Sequence, residues 1–94
     1  MEKFFKLSNG DYLYIANDKT NNEIVFNYVN GKNGESLSNG FLNNELSCNQ
    51  FNFRKDTSKI IKKILDCMNV HSHSFRRAKL TRREFLKSNL QQFP

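Results

Sequence analysis

The sequence has few cysteines, no long hydrophobic run and no recognisable catalytic motif, and each shortage excludes a class of protein. Two cysteines, Cys48 and Cys67, are too few for a disulfide-stapled scaffold, so we expect both thiols to be reduced. No apolar stretch reaches the length of a membrane-spanning helix, and none resembles the hydrophobic region of a signal peptide. We therefore expect a soluble, cytoplasmic protein.

Motifs that would indicate catalysis are also missing. The chain has no glycine-rich phosphate loop, no paired carboxylates and no nucleophile–base arrangement at a recognisable spacing. We accordingly expect a protein that is not an enzyme and uses no cofactor. One catalytic alternative is a nuclease in which His71 or His73 works beside arginines, because arginines stabilise phosphoryl transition states.

The clearest pattern is an amphipathic helix over residues 58–68. Its apolar residues recur at helical spacing and share one face, whereas lysines and Asp66 occupy the other face. Burial of each apolar side chain contributes roughly 1.5–3 kcal/mol, which makes this face the main wall of the predicted core. The five apolar residues are Ile60, Ile61, Ile64, Leu65 and Met68.

Residues 1–53 read mainly as short strands. Two apolar segments flank Ser8-Asn9-Gly10, a strong hairpin signal, and residues 23–29 are dense in β-branched and aromatic side chains. All four glycines follow an asparagine, which is typical of turns between strands. Residues 30–50 show no clear pattern, and residues 36–38 are only a candidate for a short additional strand.

A second helix is predicted from Thr81. Thr81 and Glu84 have the spacing of a capping box, and Leu80 and Phe85 have that of a hydrophobic staple. The predicted fold is therefore one α+β domain over residues 1–94. In it, an antiparallel meander of three or more strands precedes two α-helices packed on one face, with residues 54–94 mainly helical.

Positive charge is concentrated in the second half of the chain. The net charge is +6, but residues 1–50 hold four lysines against six acids, whereas residues 51–94 hold eleven Lys/Arg against three acids. Such asymmetry indicates an anionic partner, nucleic acid being the most common. The alternative is a solvated, lysine-rich helical surface without a ligand.

Cations placed at the start of a helix oppose its dipole, and a bound phosphate would relieve that repulsion. We expect the fold to gather these side chains into one outward surface that contacts nucleic-acid phosphates. The candidate anion-binding residues are Lys59, Lys62, Lys63, Arg76, Arg77, Lys79, Arg82, Arg83 and Lys87.

A second hypothesis is a protein-binding module. Tyr12, Tyr14 and Tyr28 could form an aromatic platform for a partner, although aromatics that close the rim of a small core explain them better. The partner would then be an acidic surface of a nucleic-acid-handling protein. Because the composition suits an AT-rich genome, examples are a phage-encoded inhibitor of a host defence nuclease of CRISPR type, or a small subunit of a larger assembly.

Metal binding has weak support. Cys67, His71 and His73 lie near one helix end, but their spacing matches no closed tetrahedral zinc motif. An ordinary boundary cysteine and a solvated loop explain the same residues, so we predict no metal.

Overall fold

The computed structural model of the chain describes residues 1–43, 51–69 and 76–90. Seven elements follow one another, and their bounds are β1 Glu2–Leu7, β2 Tyr12–Asp18, β3 Glu23–Val29, β4 Ser36–Asn43, α1 Thr57–Cys67, β5 Arg77–Leu80 and α2 Arg82–Leu90. The strands form one five-stranded antiparallel sheet in the order β4-β3-β2-β1-β5. The α+β class and the meander of the first strands are therefore confirmed. No helix among the described residues is long and apolar enough to cross a membrane.

The predicted hairpin turn between β1 and β2 is present and is tied to the end of β3. Gly10 adopts a φ of 93°, which a residue with a Cβ rarely adopts. The carboxylate of Asp11 accepts hydrogen bonds from the Tyr28 hydroxyl at 2.7 Å and from the Gly31 N–H at 2.9 Å. Asn9 donates to both Asp11 and Tyr28, so one carboxylate organises two turns at the same end of the sheet.

The helix α1 covers one face of the sheet as its periodicity predicts. Ile60, Ile64 and Leu65 are buried against alternate residues of the first three strands, including Leu13 and Ile15. Asp56 occupies the N-cap position, but its carboxylate accepts a hydrogen bond from the Asn52 N–H and caps no helical N–H.

The helix α2 lies against the opposite face, which corrects the expectation that both helices share one face. Phe85 packs on Phe4 and Tyr12, with ring centroids 4.9 and 6.0 Å away. Because side chains alternate along a strand, Phe4 and Tyr12 point away from α1. The predicted capping box is confirmed, since Thr81 and Glu84 exchange hydrogen bonds of 2.9 and 3.1 Å.

Two strands differ from the sequence prediction, one by its length and one by its presence. β4 runs over Ser36–Asn43 and not merely residues 36–38, and β5 interrupts the half that was predicted to be mainly helical. β5 is only four residues long and has no buried side chain, so it lacks the apolar alternation that predicts a strand. Antiparallel pairing with the edge of β1 stabilises this segment as a strand, although its own sequence has no strand pattern.

Candidate anion-binding pocket

The strand β5 brings two of the predicted cations to the α1 side of the sheet. Its register pairs Arg77 with Leu7 and Lys79 with Phe5, and both partners point toward α1. The start of the strand is held by Ser8, whose N–H donates to the Arg76 carbonyl at 2.9 Å while its hydroxyl accepts from the Arg76 N–H. These contacts position Arg77 and Lys79 beside the first turn of α1.

Lys3 approaches the same place from β1. Its ammonium group donates to the carbonyl of Phe53 and to the hydroxyl of Thr57, each at 2.6 Å. Burial lowers the pKa of Lys3, and the positive charges of Lys79 and Arg77 lower this pKa further. Lys3 is thus a partly buried cation with two further cations close to it.

Arg77 is oriented before any ligand arrives. Its Nη2 donates to the Ser58 hydroxyl at 3.0 Å, and its guanidinium carbon lies 5.7 Å from the centroid of the Phe5 ring. Contact with a ring face and a hydrogen bond restrict the rotamers of a long side chain. The guanidinium consequently needs less ordering when it binds an anion.

Together these residues surround an open pocket of about 670 Å³, which we call the β5 pocket. Five cationic side chains line it, and none of its described lining residues is acidic. The lining consists of Lys3, Phe5, Arg54, Thr57, Arg76, Arg77 and Lys79.

The positive surface continues around the β5 edge to the other face of the sheet. A second recess of about 360 Å³ shares Arg76 and Arg77 with the β5 pocket and adds Lys6. The Lys6 ammonium lies 5.9 Å from the centroid of the Tyr12 ring. Arg76 and Arg77 thus stand between two recesses that carry the same sign of charge.

The remaining predicted cations do not join this pocket. Lys59, Lys62 and Lys63 lie on the exposed side of α1, where Lys62 forms an ion pair with Asp66 at 3.7 Å. None of these three lysines lines the β5 pocket, although Lys59 follows Ser58 directly in the chain.

The cations of α2 lie outside the β5 pocket, although Arg82 lines a neighbouring recess of about 490 Å³ together with Glu2, Lys3 and Lys79. Arg82 forms an ion pair with Glu2 at 2.8 Å, and this pair holds the pKa of Glu2 below its usual range. Arg83 and Lys87 are exposed on the same helix. The single surface expected from the sequence is therefore divided between two faces, because α1 and α2 pack on opposite sides.

The sequence prediction does not include two of the five cations of the β5 pocket, Lys3 and Arg54. Lys3 belongs to the half of the chain that is net acidic, so the distribution of charge does not single it out. The available signal was the alternation of β1, which places Lys3 on the same side as Phe5 and Leu7. Arg54 precedes α1 and carried no comparable signal.

The three tyrosines do not form an exposed platform, which corrects that expectation. Tyr12 and Tyr28 are buried, on opposite faces of the sheet. Tyr14 is half-buried, packs on Phe4 and donates a hydrogen bond to Glu2. Their rings complete the two cores, as the alternative explanation held.

The weak metal candidates are only partly placed. Cys67 is an exposed, free thiol at the end of α1, whereas His71 and His73 lie outside the described residues. No group of three potential metal ligands occurs within residues 1–43, 51–69 and 76–90.

Comparison with known proteins found no matching family model, no matching curated protein and no matching solved structure.

Proposed function

We propose that this protein is a small, non-enzymatic nucleic-acid-binding accessory protein that contacts phosphates through the β5 pocket. The observation that carries the proposal is the convergence of five cations on one open pocket whose described lining contains no acid. A solvated face with scattered lysines would explain isolated cations, but it would not explain cations held in place by neighbouring hydroxyl and carbonyl oxygens.

Electrostatics favours an anion at this position. Burial is the main cause of the lowered pKa of Lys3, and the positive charges of Lys79 and Arg77 add to it; a phosphate between these side chains would attract all three cations. Arg77 adds a planar fork of donors that suits phosphate oxygens. Binding would therefore relieve a repulsion that the folded protein already contains.

We propose binding without catalysis because the lining residues that the structure describes include no carboxylate or imidazole that could act as a base. The hydroxyls of Thr57 and Ser58 already accept hydrogen bonds from Lys3 and Arg77, which leaves them oriented by cations. The ammonium and guanidinium groups of the pocket can neutralise negative charge and donate hydrogen bonds to anionic oxygens.

The test is fluorescence anisotropy of labelled single- and double-stranded oligonucleotides at several salt concentrations. If all five cations contact phosphates, the logarithm of affinity should fall with the logarithm of salt with a slope of about −4.5 for duplex or about −3.5 for a single strand. Between about 50 and 200 mM salt the loss of affinity is then large enough to measure easily.

A double variant tests whether the β5 pocket is the site that binds the oligonucleotide. Arg76→Ala with Lys79→Ala removes two lining cations whose side chains have no hydrogen bond or ion pair with the described residues, so stability should be retained. The matched control, Lys19→Ala with Lys32→Ala, removes the same charge from exposed turns. We expect the pocket variant to reduce the salt slope by about 2 and the control to leave it nearly unchanged.

Three results would contradict the proposal. The first is a wild-type protein that binds neither form of oligonucleotide at low salt. The second is equal weakening by both double variants, which would indicate a diffuse effect of net charge. The third is loss of a co-purifying acidic protein in the pocket variant when wild-type protein binds no nucleic acid, which would favour the protein-binding alternative.

A further inference from the structure

The cations of the β5 pocket come from separate parts of the chain and converge on one recess. Lys3 lies on β1, Arg54 precedes α1, and Arg77 and Lys79 lie on β5. An internal phosphate of a nucleic-acid strand carries one negative charge. A phosphate monoester at the end of a strand carries about 1.5 to 2 negative charges and has three oxygens that accept hydrogen bonds. A concentrated group of cations therefore suits a terminal phosphate better than an internal one.

Lys3 has one donor left for such a ligand. A lysine ammonium group has three N–H donors, and in Lys3 two of them are used, by the Phe53 carbonyl and the Thr57 hydroxyl. These contacts fix the ammonium group of Lys3 between β1 and the start of α1, where it is partly buried. An anion must enter the recess to reach it. The end of a strand enters more readily than an internal phosphate, because an internal phosphate has chain on both sides.

The recesses on the two sides of the β5 pocket differ in the charge that they add. The recess of about 360 Å³, which we call the Lys6 recess, adds a lysine that forms no ion pair with the described residues. The recess of about 490 Å³ adds Glu2 and Arg82, which already form an ion pair with each other. Positive charge therefore continues beyond the pocket on the side of Lys6, whereas the other side adds no net charge.

We propose that the β5 pocket binds the terminal phosphate of a nucleic-acid strand, and that the following phosphates lie along the Lys6 recess. This assignment rests on the proposed function, because it specifies which phosphate of the nucleic acid enters the pocket. The strand passes the first residues of β5 and ends near Lys3 and Lys79. Arg77 lines both recesses, so it lies between the terminal phosphate and the next one.

The experiment measures fluorescence anisotropy with one single-stranded oligonucleotide that has a 5′-phosphate, a 3′-phosphate or hydroxyl groups at both ends. The label is attached to the end opposite the phosphate, and each phosphorylated form is compared with a hydroxyl form labelled at the same end. We expect one phosphorylated form to bind about tenfold more tightly, because the added hydrogen bonds are charge-assisted. An oligonucleotide that is longer by one nucleotide and has hydroxyl ends controls for total charge, and it should gain little affinity.

Two single variants locate the terminal phosphate. Lys79→Ala removes an exposed cation from the β5 pocket and should reduce the preference for the phosphorylated form by roughly threefold. The matched control, Lys6→Ala, removes the same charge from the Lys6 recess. It should weaken binding of the phosphorylated and hydroxyl forms alike and leave their ratio unchanged. An equal fall of that ratio in both variants, or no fall in Lys79→Ala, would contradict the assignment.

The remaining outcomes separate this inference from the proposed function. Equal affinity of the phosphorylated and hydroxyl forms, with a normal salt slope, would overturn the terminal site and leave nucleic-acid binding intact. Competition by a free 5′-mononucleotide as strong as that of the phosphorylated oligonucleotide would show that the ligand is a nucleotide and not the end of a strand. Absence of binding by every oligonucleotide would overturn the proposed function, and this inference with it.

Discussion

Tyr28 should make this protein sensitive to alkaline pH. The side chain is only 3% exposed, and its hydroxyl donates to Asp11 and accepts from Asn9. Burial, together with the negative charge of Asp11, raises the pKa of Tyr28 to about 12 from an ordinary value of 10.0. The folded protein therefore holds the neutral phenol at pH values where the unfolded chain would ionise it.

The direction of the effect follows from proton linkage. A tyrosine whose pKa is higher in the folded state contributes stability that is fully present below pH 10 and is lost as the pH rises from 10 to 12. Each pKa unit corresponds to about 1.4 kcal/mol, so the free energy of unfolding should fall by about 1 kcal/mol at pH 11 and by roughly 3 kcal/mol well above pH 12.

The assay compares urea unfolding of the wild type and of Tyr28→Phe at pH 8 and at pH 11. At pH 8 the variant should be less stable by about 1.5–3 kcal/mol, because Asp11 loses a hydrogen bond to a charged acceptor. At pH 11 the difference should shrink by about 1 kcal/mol, since phenylalanine cannot ionise. Lysines and the other tyrosines titrate in both proteins and cancel. A stability difference that is the same at both pH values would refute the reasoning.

Two further substitutions test the packing of the fold. Gly31→Ala would place a Cβ against the carbonyl oxygen of Gly10, and shifting that backbone group costs free energy. Thermal denaturation should therefore show a clear loss of stability. Gly40→Ala, where the Cβ finds an ordinary contact distance of 3.4 Å, should cost much less, and equal losses would contradict this account. Phe85→Ala removes the buried ring that holds α2 against Phe4 and should cost about 3–5 kcal/mol in urea unfolding. Unchanged hydrogen exchange in α2 of that variant would show that other contacts hold the helix.

Local sequence signals predicted several elements correctly. The helical spacing of the isoleucines located α1 to within a residue at each end, and Thr81 with Glu84 located the start of α2. The asparagine–glycine turn after β1 was equally readable. In each case the determining interactions join residues a few positions apart, so the sequence contains both partners of the interaction.

The candidate site was only half predictable. Arg76, Arg77 and Lys79 were recognised as a cationic cluster, but Lys3 and Arg54 come from other parts of the chain. Lys62 and Arg82 were counted among the available cations, yet each forms an ion pair in the fold. Charge counts along a sequence do not show which acids will lie nearby.

The sequence by itself determined the α+β class, the two helices and the excess of positive charge in the second half. Tertiary structure alone decided that β5 adds to the edge of β1, that α2 covers the face opposite α1, and that Lys3 meets Arg77 and Lys79. The physical reason is that strand pairing across 70 or more residues depends on a free edge elsewhere in the molecule. The composition of a four-residue segment with exposed side chains does not indicate that such an edge exists.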